Sequence, residues 1–150
     1  MRNIRESKRQ GLSSRKEEAL EMEEQQIRIL VADNDVRVRS ALQMLLRQEP
    51  GLVISECSDL EGLLIQVKEF KPDLLFLDWE LRGRPATALL FAAHAPGFRP
   101  KTIVLSGRPE SEQAALAAGA DAFVSKADPP ERLLSTFRRL VHESGKGVAN

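Results

Sequence analysis

Polar residues capable of joint chemistry stand at the ends of four short apolar runs. Asp33-Asn34-Asp35 follows Ile27–Ala32, Asp78 follows 73–77, Ser106 closes 102–105, and Lys126 follows Ala122–Ser125. A carboxylate such as Asp78 can attack phosphorus and hold the transferred group as an acyl phosphate. Two anions repel, so a divalent cation has to bridge them. Mg²⁺ prefers oxygen ligands and keeps part of its water shell, and Asp33 with Asp78 could hold it. Lys126 can neutralise one phosphoryl oxygen and Ser106 can donate a hydrogen bond to another; the remaining work is positioning and charge stabilisation. Each residue alone is weak evidence, because Ser106 could cap a strand and Lys126 could be a surface lysine. Their joint placement argues against both.

The elements that must position these residues alternate regularly. Runs at Ile27–Ala32, 52–54, 73–77, 102–105 and Ala122–Ser125 are short, apolar and rich in β-formers. Between them lie helical spacings: Val38, Ala41, Leu42 and Leu45; then Leu60, Leu63, Leu64 and Val67; then a short helix after Pro85 and an alanine-rich one over 114–118 closing on Gly119. Pro129-Pro130 opens a last helix with Leu133, Leu134, Phe137, Leu140 and Val141 facing inward. Five strand–helix repeats of this kind predict an α/β fold, a doubly wound parallel sheet with helices on both faces. In such sheets ligands bind beyond the carboxyl ends of the strands, which is where these polar residues fall. The second strand offers no comparable group, as suits an edge.

Composition narrows the class further. The chain has 150 residues, 42% hydrophobic and 29% charged, and its 22 basic and 22 acidic side chains cancel. No global field draws it to nucleic acid or anionic lipid, no apolar run is long enough to span a bilayer, and a single cysteine, Cys57, excludes an intrachain disulfide. A cytoplasmic protein is expected. Residues 1–26 are polar, with basic side chains first and glutamates after; they read as a disordered or partly helical tail, or, if Met22 is the natural start, largely as an addition. One domain then covers 27–143, with 144–150 as a flexible tail.

Four stretches carry a family resemblance: Ile29–Asp35, Pro72–Asp78, Ile103–Gly107 and Gly119–Lys126. In this order and spacing they resemble the receiver domain of two-component response regulators, over about residues 27–142. The resemblance implies a flavodoxin-like (βα)5 sheet of strand order 2-1-3-4-5. It implies Asp78 as phosphoacceptor, Ser106 as switch hydroxyl, Lys126 as the active-site lysine and Phe123 as switch aromatic. It further implies Mg²⁺ held by Asp33, Asp78 and the main-chain carbonyl of Glu80, with Asn34 as a further candidate. The phosphoryl donor would be a sensor histidine kinase or a histidine phosphotransfer protein. The output would be another protein, docked on the face made by the helix after the fourth strand, the fifth strand and the last helix, where homodimers also form. No direct nucleic-acid or membrane partner and no output domain in the chain are expected; slow self-dephosphorylation would be a timer rather than an enzyme activity.

The sequence also departs from the family pattern. The family usually has two adjacent acids after the first strand, and here the second is Asn34. An amide oxygen can face a metal or its water but adds no charge, so Mg²⁺ should bind about tenfold more weakly. Asp35 comes one residue late and is expected to cap the next helix. Arg82 and Arg84 either attract a donor or are solvated loop charges, and Trp79 either shields an acyl phosphate or covers the rim. Two alternatives follow: a degenerate pseudo-receiver acting as a phosphorylation-independent scaffold, which Asn34 favours, and an aspartyl-phosphate hydrolase, which would want an acid two residues after its nucleophile, where Glu80 stands in the wrong flanking sequence. Cys57 is expected to be inert, and His94 and His142 lack companions for a metal site.

Overall fold

The computed structural model of the protein describes residues 14–18, 26–82, 90 and 99–144. Strands β1 (Ile27–Ala32), β2 (Leu52–Cys57), β3 (Leu74–Asp78), β4 (Lys101–Ser106) and β5 (Ala122–Ser125) alternate with helices α1 (Val36–Leu46), α2 (Leu60–Glu69), α3 (Glu112–Ala117) and α4 (Pro130–Ser144). They form one five-stranded sheet in the order β2-β1-β3-β4-β5, with every pairing parallel. The expected order is observed, and β2 is the edge strand on one side. The helix expected after Pro85 lies outside the described residues.

The sheet is apolar because it is covered twice. Successive strand side chains point to opposite faces, so Ile29, Val31, Phe76, Ile103, Leu105 and Val124 meet α1 and α4 on one side. Leu30, Ala32, Leu75, Leu77, Val104 and Phe123 pack with Leu63, Val67 and Ala115 of α2 and α3 on the other. Alternation between polar and apolar residues is therefore absent from β1 and β3, where five of six and five of five residues are buried. Phe137 ties the last helix to the sheet by stacking on Phe76, ring centroids 6.2 Å apart.

Helix boundaries follow local chemistry. Asp35 caps α1 as expected: its carboxylate accepts from the Arg37 amide. Asp59 does the same for α2 through the Gly62 amide. Gly119 follows α3 at φ 111°, a backbone state that L side chains rarely adopt. Two helical positions differ from the spacing rule: Ala41 of α1 is exposed, on the flank of the face that carries buried Leu42, and Leu64 of α2 is the other. Leu64 is 46% exposed, while Leu63 and Val67 are buried and Leu60 and Phe70 pack beside them. α2 thus presents a narrower apolar stripe than its sequence suggests.

Candidate functional site

Parallel pairing brings the ends of β1, β3, β4 and β5 to one rim. Asp78 pairs in register with Leu105, and Ser106 with Ser125, so the carboxylate, the hydroxyl and Lys126 follow from consecutive strands. Asp33 sits one residue past the end of β1, its backbone amide bonded to the Cys57 carbonyl at 3.1 Å. The predicted residues Asp33, Asp78 and Ser106 are nearly sealed from solvent, at 1%, 2% and 0% exposure.

The Lys126 ammonium bridges the two acids, 2.8 Å from Asp33 Oδ2 and 3.3 Å from Asp78 Oδ1. Burial raises the pKa of Asp33 above the ordinary carboxylate range, outweighing the opposing hydrogen bonds from Lys126 and the Asp35 amide. Burial likewise raises that of Asp78, against the hydrogen bond donated by the Glu80 amide and the charge of Lys126. For Lys126, burial on its own would lower the pKa, but the hydrogen bond to Asp33 and the charges of Asp78 and Asp33 prevail and raise it. The site thus holds two carboxylates that resist ionisation against one cation that resists losing its proton.

This donor set fits a hard divalent cation. Asp33 Oδ2 is buried, and the Lys126 ammonium at 2.8 Å is its close polar neighbour. Among the described residues no cluster of three or more His, Cys, Asp or Glu side chains could hold a metal. A cation here would draw on two carboxylates, a carbonyl and water, the composition Mg²⁺ accepts and a softer metal does not. Asn34 is exposed beside Asp33.

The turn after β3 is pinned by the backbone. The Trp79 amide donates to the Leu105 carbonyl at 2.8 Å, the Leu81 amide to the Asp78 carbonyl at 3.1 Å, and the Leu60 amide to the Arg82 carbonyl at 2.9 Å. The Glu80 amide donates to Asp78 Oδ1 at 3.0 Å. Its side chain makes a contact that sequence reasoning missed: Ser106 Oγ donates to Glu80 Oε1 at 2.6 Å while accepting from the Arg108 amide at 3.0 Å. The only sequence signal was the acid's place two residues after Asp78.

Phe123 is buried against Val104 and its neighbours in the core beneath the rim, and Trp79 packs partly buried on the same cluster. Cys57 is buried, with its thiol pKa pushed up to about 12 by desolvation and the Asp59 charge. His142 lies on the exposed side of α4, and His94 lies outside the described residues. An apolar groove of about 530 Å³ runs between α1 and the start of α4, lined by Val38, Leu42, Leu45, Val124, Pro130 and Leu133.

Comparison with known proteins places these observations in context. The profile of the response regulator receiver domain family matches residues 29–138. A protein-glutamate methylesterase/protein-glutamine glutaminase of Methanospirillum hungatei is 33% identical over 105 residues, which is 67% of this chain and 31% of that protein. The phosphate regulon transcriptional regulatory protein PhoB of Escherichia coli is 28% identical over 120 residues, 76% of this chain and 51% of its own length. The chain thus spans from a third to half of the curated relatives it matches. Among solved structures, a CheY-like response regulator receiver domain protein from Methanospirillum hungatei superposes with a TM-score of 0.69 at 27% identity, covering 79% of this chain and 95% of that one.

Proposed function

Because the chain belongs to the response regulator receiver domain family, whose members act as phosphoacceptors in signalling, we propose that it accepts a phosphoryl group on Asp78 from a phosphohistidine donor and signals by a change of shape. The observation that carries this reading is the rim itself: a buried carboxylate 3.3 Å from an ammonium, with a buried hydroxyl on the adjoining strand. Asp78 would attack phosphorus in line with the P–N bond of the donor. That bond breaks with its electron pair on nitrogen, and the imidazole, protonated on its other nitrogen, leaves as the neutral ring. Lys126 would take up charge on one phosphoryl oxygen, and Ser106 would donate to a second. Mg²⁺, held by Asp33, Asp78 and the Glu80 carbonyl with Asn34 beside it, would supply charge neutralisation between nucleophile and phosphoryl group.

The donor would be a sensor histidine kinase or a histidine phosphotransfer protein. The output would be a protein docked on α3, β5 and α4, where Leu116 of α3 is 43% exposed; a second copy could use the same face. The chain's own chemistry would then be phosphoacceptor chemistry, with slow hydrolysis of the acyl phosphate as a timer. No helix among the described residues is long and apolar enough to cross a membrane; the proposed site of action is the cytoplasm, where a histidine-kinase donor would present its phosphoryl group.

Incubation with acetyl phosphate and Mg²⁺ followed by intact-mass measurement tests the assignment. A phosphoryl-sized increase is expected in the wild type and none in Asp78→Asn; persistent labelling of that variant would refute the acceptor. No label in the wild type, under conditions that label an ordinary receiver, would favour the phosphorylation-independent scaffold that Asn34 supports.

A further inference from the structure

We infer that Glu80 is a latch on the Ser106 hydroxyl, holding it in the unphosphorylated arrangement until a phosphoryl group on Asp78 competes its proton away. This rests on the phosphoacceptor reading and adds to it a positioning residue that opposes the switch. The contact is short, 2.6 Å between Ser106 Oγ and Glu80 Oε1, as hydrogen bonds from a hydroxyl to a carboxylate are. A serine hydroxyl has one proton to donate. While Glu80 accepts it, no phosphoryl oxygen can, so the two acceptors exclude each other.

The surroundings make this competition sharp. Ser106 is 0% exposed, so water does not offer its hydroxyl a third option. The Arg108 amide already donates to the same oxygen at 3.0 Å, which restricts where the proton can point. Glu80 stands over Ser106 because the turn that carries it is fixed at the Trp79, Glu80 and Leu81 amides. Glu80 is an exposed residue, so on release its side chain can turn into water at little cost. A phosphoryl group arriving on Asp78 therefore both outbids the carboxylate for the proton and repels it. Any metal ligand at residue 80 is a main-chain carbonyl, so a side-chain substitution leaves it in place.

Beryllofluoride, a non-covalent mimic of the phosphoryl group on a carboxylate, provides the test. With Mg²⁺ present, its affinity is read from the bound ¹⁹F resonance of the full chain. The wild type is compared with Glu80→Gln, Glu80→Ala, Ser106→Ala and the double variant of Glu80→Ala with Ser106→Ala. Glu80→Ala is expected to bind about tenfold tighter, the scale of a hydrogen bond to a charged group. Glu80→Gln, which keeps an acceptor without the charge, should gain less. In the Ser106→Ala background the gain from Glu80→Ala should shrink to under about threefold, because no proton remains to be contested. Equal gains in both backgrounds would mean that only charge acts and would overturn the latch. So would a wild type that binds beryllofluoride and a Glu80→Ala that binds it no better. If neither the wild type nor Glu80→Ala binds, the phosphoacceptor reading fails and the latch fails with it.

Discussion

Removing the ammonium at the rim should destabilise the protein by an amount that depends on pH in a specific direction. Lys126→Met keeps most of the aliphatic stem and deletes the charge that contacts Asp33 at 2.8 Å and Asp78 at 3.3 Å. At an effective dielectric of about 20 these separations correspond to about 6 and about 5 kcal/mol of attraction, and in bulk water to about 1.5 and about 1.3 kcal/mol. Lys126 is 26% exposed and its partners 1–2%, so the pairs lie between those limits. Proton uptake caps the loss. An ordinary carboxylate at pH 7 takes up a proton for about 4 kcal/mol, at about 1.4 kcal/mol per pH unit. Burial has already raised both acids above the ordinary range, so the cap here is lower. The expected cost is about 2–3 kcal/mol at pH 7 in EDTA, at or just below the roughly 3–5 kcal/mol typical when one partner of a fully buried ion pair is removed, because Lys126 is 26% exposed.

The sign of the pH dependence follows from linkage. In Lys126→Met the folded-state pKa of Asp33 or Asp78 rises further above its unfolded value, so the folded state binds more protons than the unfolded one. The associated stability is fully present below the unfolded pKa and is lost as pH climbs through the folded pKa. The gap between wild type and variant should therefore be smallest near pH 5, about 1 kcal/mol, and widen toward pH 7. Urea denaturation followed by circular dichroism at both pH values gives the two differences. Adding Mg²⁺ at millimolar concentration should close part of the gap at pH 7, because the cation neutralises the same carboxylates. A variant as stable as the wild type at pH 7 in EDTA, or a gap that widens on acidification, would refute the electrostatic account of the rim.

Other perturbations read other parts of the molecule. Asn34→Asp should tighten Mg²⁺ binding about tenfold, measured by titrating the fluorescence of Trp79; an unchanged affinity would remove residue 34 from the metal's surroundings. Cys57 is buried with its thiol pKa at about 12, so Ellman's reagent at pH 8 should leave the folded protein unlabelled and react fully in urea; rapid labelling of the folded state would contradict the packing beneath β2. Gly62→Ala should destabilise α2 by about 1–2 kcal/mol instead of giving the usual helix gain, because a Cβ there would meet Cys57 Cβ at 2.9 Å; a raised melting temperature would show that the strand yields.

Most of the architecture could be read from the sequence because a doubly covered parallel sheet leaves a plain trace. β1 and β3 are nearly unbroken apolar runs; β3 ends at the polar Asp78, and β1 ends one residue before the polar Asp33, where the backbone meets the rim. The site residues were legible for the same reason: Asp33, Asp78, Ser106 and Lys126 are the polar residues that interrupt or follow strands. What spacing could not convey was how polar side chains choose among neighbours. The Glu80–Ser106 contact depends on a turn fixed by three backbone amides and on register across β3 and β4, neither of which marks the residue type at position 80. Ala41 and Leu64 failed the helical rule because each sits on the flank of its apolar stripe that faces water, while Leu42 and Leu63 beside them face the sheet.

The charge balance of the rim gives Asn34 a physical meaning beyond a missing ligand. The two buried carboxylates, Asp33 and Asp78, face the single ammonium of Lys126, one positive charge short of neutrality even before the exposed Glu80 is counted. A third carboxylate at residue 34 would deepen that deficit and make the metal-free fold more costly, since unpaired charge near a buried acid raises the free energy of the folded state. An amide there relieves the repulsion and gives up part of the attraction for a cation. Both effects come from one missing charge, so they are coupled: whatever Mg²⁺ affinity Asn34→Asp gains should be accompanied by lower stability in EDTA. A site tuned this way depends less on metal for folding and more on Lys126 for holding its two acids together. The same lysine, not a third acid, then sets how readily the rim admits another anion, and Glu80 sets how readily Ser106 responds once that anion arrives.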